Sequence, residues 1–287
     1  MEKQKNNPPV GKLYQRVDVE KLAEQFRSAN PGFHPEIGLV TGTGFASFTK
    51  EFQEPHTVPY SDLPYFLDEL QTPGHIGEFT LGKVAGKRAI CARGKMFLLD
   101  GVPAQLIALP IRLFYLLGCK TLVYTNTVGA INPEYKPGDF VFLTNQINLM
   151  GQNPLVGEKN GEWGPMFYDM TYPFDADLRQ IGEKVARQMD LPVHEGIYVG
   201  LLGPCFETAA EIKMLSTAGA DVVGMSTVME VIAARQLGMK VLGISFVSNM
   251  AAGVTQKLVE NDDVLSLTSS SEETYSRLLN GILALIP

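Results

Sequence analysis

Short apolar runs separated by helical patterns constrain this chain more than any other feature. Residues 36–41 (EIGLVT), 121–125 (TLVYT), 140–144 (FVFLT), 196–202 (GIYVGLL), 221–224 (DVVG) and 240–247 (KVLGISFV) have the length and apolar content of buried strands. Residues 105–117, 177–189, 208–217, 227–237 and 270–285 read as helices, with Pro110 early in the first. This alternation predicts an α/β fold, a largely parallel sheet with helices on both faces. Ligands of such sheets bind beyond the carboxyl ends of the strands, so the residues that follow each strand are where chemistry is to be sought.

Gly42-Thr43-Gly44 follows the first strand. It should open a helix whose N–H groups approach a phosphate-sized anion. Ser47 stands where a dinucleotide fingerprint needs its third glycine, which makes a dehydrogenase the weakest reading. His75 sits in the glycine-flanked loop 72–77, where a lone histidine is more often a surface residue than a catalyst. Asn126-Thr127-Val128-Gly129-Ala130 reads as the start of a turn-rich loop up to residue 138. Ser248-Asn249 ends the last strand, and an Asn amide both donates and accepts, which suits the edge of a heterocycle.

Two further stretches, 203–211 (GPCFETAAE) and 223–230 (VGMSTVME), each place a Thr three residues before a Glu: Thr208 and Glu211, Thr227 and Glu230. That is the capping-box spacing of a helix start. Ahead of the caps stand Phe206-Glu207 and Met225-Ser226, a set suited to a flat, hydrogen-bonding ligand beside a hydroxylated one. No Ser-His-Asp arrangement or activated cysteine is evident, and Cys205 is expected to pack beside Phe206. The constellation therefore positions an anionic nucleophile and a leaving group; the protein supplies no nucleophile of its own.

Composition narrows the classes. A net charge of −7 argues against a general nucleic-acid binder, which needs a basic face. Three cysteines without paired spacing suggest reduced thiols in a cytoplasmic protein, and the four scattered histidines offer no metal pattern. No apolar run reaches the ~18 residues of a membrane span. The polar start of the chain is expected to be a flexible leader that runs, with an N-terminal helix, to residue 30. Residues 31–287 then form one domain. The segment 147–173 is rich in Gly, Pro and Asn, carries Trp163, Phe167, Tyr168 and Tyr172, and is expected to be an ordered binding or subunit-contact loop.

In this order, GTGF, TPGHIGEF, TNTVGAIN, EGIYVGLLGPCFETAAE, VGMSTVMEV and FVSN closely resemble the signature blocks of the trimeric purine nucleoside phosphorylases. The resemblance runs from about residue 37 to the C-terminus. It implies a single-domain three-layer α/β/α sandwich around a large mixed, partly barrel-like sheet. It implies reversible phosphorolysis of nucleosides in purine salvage by a cytoplasmic homotrimer, with inorganic phosphate as co-substrate and no cofactor. Carried over by position, Thr43, Lys95, Thr127 and Ser226 would bind phosphate, with His75 helping to seat it. Tyr198, Met225, Leu99 and Asn261 would lie at the ribose. Phe206 would stack on the base beside Val128, Glu207 and Asn249 would hydrogen-bond its edge, and Phe167 would reach a neighbouring subunit's site.

The departures from the family pattern are part of the reading. The family usually has Arg at Lys95, His at Phe97, Tyr at Leu99, His at Asn261 and Lys at Met250, and small residues at Thr127 and Val128. Lysine keeps a charge but loses the planar fork that grips phosphate, and Phe97 removes a donor. Arg93 is a candidate to compensate, if its strand register faces the site. The expectation is weakened phosphate affinity and altered specificity, with adenine or cytosine nucleosides taken besides 6-oxopurine ones. The alternatives are a nucleoside-binding pseudoenzyme, or a methylthioadenosine phosphorylase, a group that usually carries Asp where Asn249 stands.

Overall fold

The computed structural model describes residues 14–287 except 68, 69, 71, 73, 74 and 160, and does not describe the side chains of Asn261 and Asp263. The expected leader lies mostly outside the described residues. Helix α1 (Arg16–Ala29) precedes β1 (Ile37–Val40), β2 (Gln53–Pro59), β3 (Glu78–Val84) and β4 (Lys87–Ala92). Helices α2 (Ala104–Ile107) and α3 (Leu109–Leu117) lead to β5 (Thr121–Ala130) and β6 (Phe140–Asn148). Then come α4 (Ala176–Gln188), β7 (His194–Gly200), α5 (Ala209–Thr217), β8 (Val222–Gly224) and α6 (Val228–Gln236). The chain ends with β9 (Lys240–Met250), α7 (Asn261–Ser270) and α8 (Glu272–Leu285).

The nine strands form one sheet in the order β2-β3-β4-β1-β5-β8-β7-β6-β9, and β5 also pairs with β9. That extra ladder closes β5, β8, β7, β6 and β9 into a ring, and the other four strands extend from it as a wing. The pairs β2–β3, β3–β4, β5–β8 and β6–β9 are antiparallel. The largely parallel sheet expected from strand–helix alternation is therefore corrected to the mixed, partly closed sheet that the resemblance implied. Successive β5 residues point to opposite faces, as the two-residue period requires. Leu122 and Tyr124 join the core under α1, α3 and α6, and Val123 joins the core under α4 and α8. These are the outer layers of the sandwich.

Among the differences from the local reading, one positions the site and one concerns Pro110. Strand β5 does not stop at Thr125, because Asn126, Thr127 and Val128 pair with Ser245, Phe246 and Val247 of β9. A neighbour strand satisfies the backbone of a stretch that in isolation reads as a turn. The expected helix 105–117 is two helices, with Pro110 in the first turn of α3, where its missing N–H has no intrahelical partner to lose.

The segment between β6 and α4 is irregular but anchored. Trp163 is buried against the Arg112 guanidinium, Glu158 pairs with Arg112, and the Tyr168 hydroxyl donates to Ile232 O at 2.6 Å.

Candidate active site

One cleft of about 180 Å³ lies over the carboxyl ends of β5, β8 and β9. Thr43, Lys95, Leu99, Thr127, Val128, Phe206, Glu207, Met225, Ser226 and Asn249 all line it, as do Phe97 and Ser248. Their sequence separations reach two hundred residues. The sheet gathers them because β1, β5 and β9 run parallel and end at the same edge, where the short β8 pairs antiparallel with the last residues of β5.

The end of the cleft where an anion is expected rests on the turn after β1. A Cβ at Gly42 would lie 2.9 Å from Asn126 Cα, and Gly44 has φ +84° with Thr268 Oγ1 2.4 Å from where its Cβ would be. Only glycine allows both the conformation and the approach. The helix expected there is a 3-10 turn that starts at Ala46, and the Gly42 N–H is already bonded to Thr125 Oγ1 at 2.9 Å. At this end the side-chain hydroxyls of Thr43, Thr127 and Ser226 line the cleft.

Each of two hydroxyls is backed by a donor. His75 Nδ1 accepts from the Lys95 backbone N–H at 3.0 Å, which puts the ring proton on Nε2, 3.0 Å from Thr43 Oγ1. Burial, reinforced by the Lys95 charge, pushes the His75 pKa down to about 3, so the ring is neutral. The Thr43 oxygen accepts from it, and the Thr43 hydrogen is left for the cleft. Asn126 Nδ2 donates to Thr227 Oγ1 at 2.7 Å, and Thr227 Oγ1 lies 3.1 Å from Ser226 Oγ. Thr227 can pass its hydrogen to Ser226 and free the Ser226 hydrogen in turn. Thr127 differs, because its hydroxyl donates to Thr43 O at 3.0 Å.

Thr227 sits at φ 75°, ψ −50°, and Val228 N–H bonds Ser226 O at 2.8 Å. This is a three-residue turn of the strained, positive-φ kind. The capping bond expected from the Thr227 side chain to α6 is absent, because that hydroxyl faces Asn126 and Ser226. The other expected box does form, with Thr208 Oγ1 accepting from Glu211 N–H at 3.2 Å and Glu211 Oε2 accepting from Thr208 N–H at 2.7 Å. It fixes α5 directly behind Phe206 and Glu207.

Lys95 lines the cleft, but its ammonium is turned inward. It is 4% exposed, and its ammonium donates to Thr125 O at 2.9 Å and lies 4.3 Å from the Tyr124 ring centre. Burial lowers its pKa to about 7, opposed by the Glu230 charge. Burial raises the Glu230 pKa, and Lys95 and a 2.7 Å bond from the Tyr124 hydroxyl hold it back. Arg93 does not compensate, since it pairs with Glu78 and donates to Ala46 O at 3.1 Å.

At the opposite end, Phe206 is partly exposed, and burial raises the Glu207 pKa. Asn249 Oδ1 accepts from the Ser248 hydroxyl at 2.7 Å, and Nδ2 donates to Met250 O at 3.0 Å, so one Nδ2 hydrogen has no protein acceptor.

Four expected residues stand apart. Tyr198 is fully buried beneath the cleft, with its hydroxyl donating to Ser226 O and accepting from Ser226 N–H, each at 3.1 Å. It holds the Ser226 turn from below; a ribose contact would need it in the wall. His75 likewise acts through Thr43. Phe167 is 90% exposed on the loop before α4, away from this chain's cleft. Asn261 opens α7, and its side chain lies outside the described residues.

Sequence reasoning missed the Lys95–Tyr124–Glu230 group and the wall residues Val264 and Leu265, because nothing local pairs Tyr124 with a residue 106 positions away. Among the described residues, no group of His, Cys, Asp and Glu could hold a metal ion, and no helix is long and apolar enough to cross a membrane. Cys91 and Cys119 are buried and Cys205 is exposed.

The model of the family described as the Phosphorylase superfamily matches residues 36–284. Purine nucleoside phosphorylase 1 of Bacillus subtilis is 37% identical over 267 residues, 93% of this chain and 98% of the relative. Purine nucleoside phosphorylase of Bos taurus is 34% identical over 260 residues, 88% of this chain and 90% of the relative. The crystal structure of the Schistosoma mansoni purine nucleoside phosphorylase in complex with adenosine matches with a TM-score of 0.87 at 32% identity, covering 99% of both chains. The same holds for its complex with inosine.

Proposed function

The chain belongs to the phosphorylase superfamily, and from that membership we propose that it is a purine nucleoside phosphorylase, a pentosyltransferase. It would cleave the N-glycosidic bond of ribo- and deoxyribonucleosides with phosphate, giving free base and (deoxy)ribose 1-phosphate. The observation that carries this reading is the cleft itself. Paired hydroxyls with free hydrogens (Thr43, Ser226) face an aromatic, a carboxyl and an amide (Phe206, Glu207, Asn249) across one space.

Phosphate sits at Thr43 and Ser226, beside Thr127. The sugar lies over Met225, and the base lies on Phe206. A phosphate oxygen bonds to the anomeric carbon as the bond to the ring nitrogen breaks, and the electron pair goes to the base. The free Nδ2 hydrogen of Asn249 meets that growing charge, and Glu207 accepts from the far edge of the ring. Preoriented donors of this kind contribute about 3–4 kcal/mol each in well-studied enzymes, and holding phosphate at the anomeric carbon adds proximity.

Lys95 lines this end with its ammonium turned to Thr125 O, where the Glu230 charge favours the charged form, so that on this reading phosphate is bound mainly by neutral groups. Weaker phosphate binding and an altered base preference, with adenosine or cytidine besides inosine and guanosine, follow on this reading. The Schistosoma mansoni relative has been crystallised with adenosine and with inosine. A single domain over 31–287, a cytoplasmic homotrimer in purine salvage, exposed Phe167 seated in a neighbouring subunit's cleft, and Asn261 at the ribose complete the reading. No cofactor is invoked beyond phosphate as co-substrate.

The test is release of free base from inosine, guanosine, adenosine, uridine and cytidine, with and without phosphate. Phosphate-dependent release establishes the activity and the base. Thermal stabilisation by nucleosides without release from any of them establishes a binding protein instead.

A further inference from the structure

The hydroxyls of Thr43, Ser226 and Thr127 line the same end of the cleft but show it different faces. His75 Nε2 donates to Thr43 Oγ1 at 3.0 Å, and the Thr43 hydrogen is left for the cleft. Asn126 Nδ2 donates to Thr227 Oγ1 at 2.7 Å, and Thr227 Oγ1 lies 3.1 Å from Ser226 Oγ. An anion in the cleft orients that chain outward, with Thr227 donating to Ser226 and Ser226 to the anion. Thr127 is the reverse case. Its hydroxyl donates to Thr43 O at 3.0 Å. A carbonyl oxygen only accepts and a hydroxyl has one hydrogen, so this bond spends the Thr127 hydrogen and leaves its oxygen an acceptor.

Neighbouring polar groups do not alter this. The Lys95 ammonium donates to Thr125 O, and the Thr268 hydroxyl, beside the Gly44 turn, is bonded within α7 to Val264 O at 3.0 Å and Leu265 O at 2.9 Å. Thr72 also spends its hydrogen, on the Asp100 carboxylate at 3.1 Å, but Thr127 is tied to Thr43 itself, which places it beside any anion that Thr43 holds. Phosphate and sulfate differ in what such a mixed set can recognise. Both are tetrahedral anions of similar size. At neutral pH sulfate carries no hydrogen, whereas inorganic phosphate keeps at least one. Donors alone suit sulfate, and a phosphate hydroxyl enclosed without an acceptor forfeits its hydrogen bond.

We propose that Thr127 is the specificity-determining residue of this end: it accepts the hydrogen of monohydrogen phosphate and so makes the cleft selective for proton-bearing tetrahedral anions over sulfate. The proposal rests on the phosphorylase reading and deepens it. The phosphate oxygens then have separate places. Two accept from Thr43 and Ser226, the protonated one donates to Thr127, and the remaining unprotonated one faces the anomeric carbon. That oxygen bonds to C1′ as the C1′–N bond breaks and its electron pair goes to the base. The phosphate hydrogen does not move, and it leaves on the sugar 1-phosphate. Holding the protonated oxygen aside keeps the poorest nucleophile of the anion away from C1′.

The experiment measures the phosphate KM at saturating nucleoside and the inhibition constant of sulfate against phosphate, for the unaltered protein and for Thr127→Val, Thr127→Ser and Thr72→Val. In the unaltered protein the sulfate constant should exceed the phosphate KM by about tenfold or more. Thr127→Val should raise the phosphate KM by about tenfold and leave the sulfate constant within about threefold, so the ratio of the two collapses. Thr127→Ser keeps a hydroxyl and should keep the ratio. Loss of the bond to Thr43 O would by itself weaken both anions together. An unchanged ratio in Thr127→Val, or a collapse in Thr72→Val in its place, therefore overturns the proposal, as does a sulfate constant equal to the phosphate KM in the unaltered protein. Should Thr127→Val fail to fold, Thr127→Ala reports the same ratio. Should no nucleoside be cleaved, the phosphorylase reading fails by itself. The shift in melting temperature with phosphate and with sulfate then decides the anion preference. A larger shift with phosphate that Thr127→Val abolishes supports it, and an equal or larger shift with sulfate refutes it.

Discussion

Replacing Lys95 by Met separates two roles that sequence position alone cannot distinguish, a phosphate ligand and a buried counter-ion. The ammonium lies against Thr125 O and the Tyr124 ring, its charge and that of the buried Glu230 each favour the other's ionised form, and Glu230 Oε2 has no hydrogen-bond partner among the described residues. Methionine matches the stem and removes the charge. Removing one partner of a buried pair costs about 3–5 kcal/mol, because the other charge is left uncompensated. Burial already raises the Glu230 pKa, so its protonation offsets part of this, and a loss of about 2–4 kcal/mol is expected. At about 2.1 cal/mol/K of unfolding entropy per residue, that lowers Tm by about 3–7 °C for a chain of this length. Differential scanning fluorimetry reads this, and a phosphate titration at saturating nucleoside reads the other role. Phosphate KM should change by less than about threefold, which is below about 0.7 kcal/mol. The double variant Lys95→Met, Glu230→Gln should regain at least half of the lost Tm. A phosphate KM raised tenfold or more with Tm unmoved would refute the counter-ion argument.

Three other outcomes follow from the same geometry. The His75 pKa is depressed to about 3, so the unfolded chain binds a proton that the folded chain refuses below pH 6.5. Its contribution is complete above pH 6.5 and is lost as pH falls towards 3, and His75→Gln should flatten the Tm–pH curve between about pH 6 and 4. Glu207→Gln should lower kcat/KM for the nucleoside by about a hundredfold or more while leaving phosphate KM within about threefold, since hydrogen-bonding sites reject a mismatched edge strongly. Gly44→Ala meets Thr268 Oγ1 at 2.4 Å from a φ of +84°. It should destabilise the protein by about 1–3 kcal/mol in urea unfolding and raise phosphate KM by displacing Thr43.

The identities of the cleft residues were legible in the sequence. Thr43, Phe206, Glu207, Met225 and Ser226 each sit just past a strand or just before a helix cap, Asn249 is the next-to-last residue of β9, and ends of parallel strands in an α/β sheet share one edge. The Thr208–Glu211 cap was legible too, because it is closed by residues three apart. The Thr227–Glu230 pair has the same spacing but a different outcome. Asn126 captures the Thr227 hydroxyl, and Tyr124 bonds Glu230, both from β5 about a hundred positions earlier.

The sequence by itself determined the alternation of strands and helices, the positions of the chemistry-bearing residues and the family, because each of these is written in local pattern or short motif. The tertiary structure alone decided how far β5 runs and that β5 and β9 close the ring. It also decided that Tyr198 and His75 support the cleft from beneath and that the Lys95 ammonium turns inward. Each of these depends on which buried polar group finds which partner. A buried donor or acceptor must be satisfied wherever the fold brings a counterpart, and the counterparts here are set by strand pairing and layer packing between distant segments.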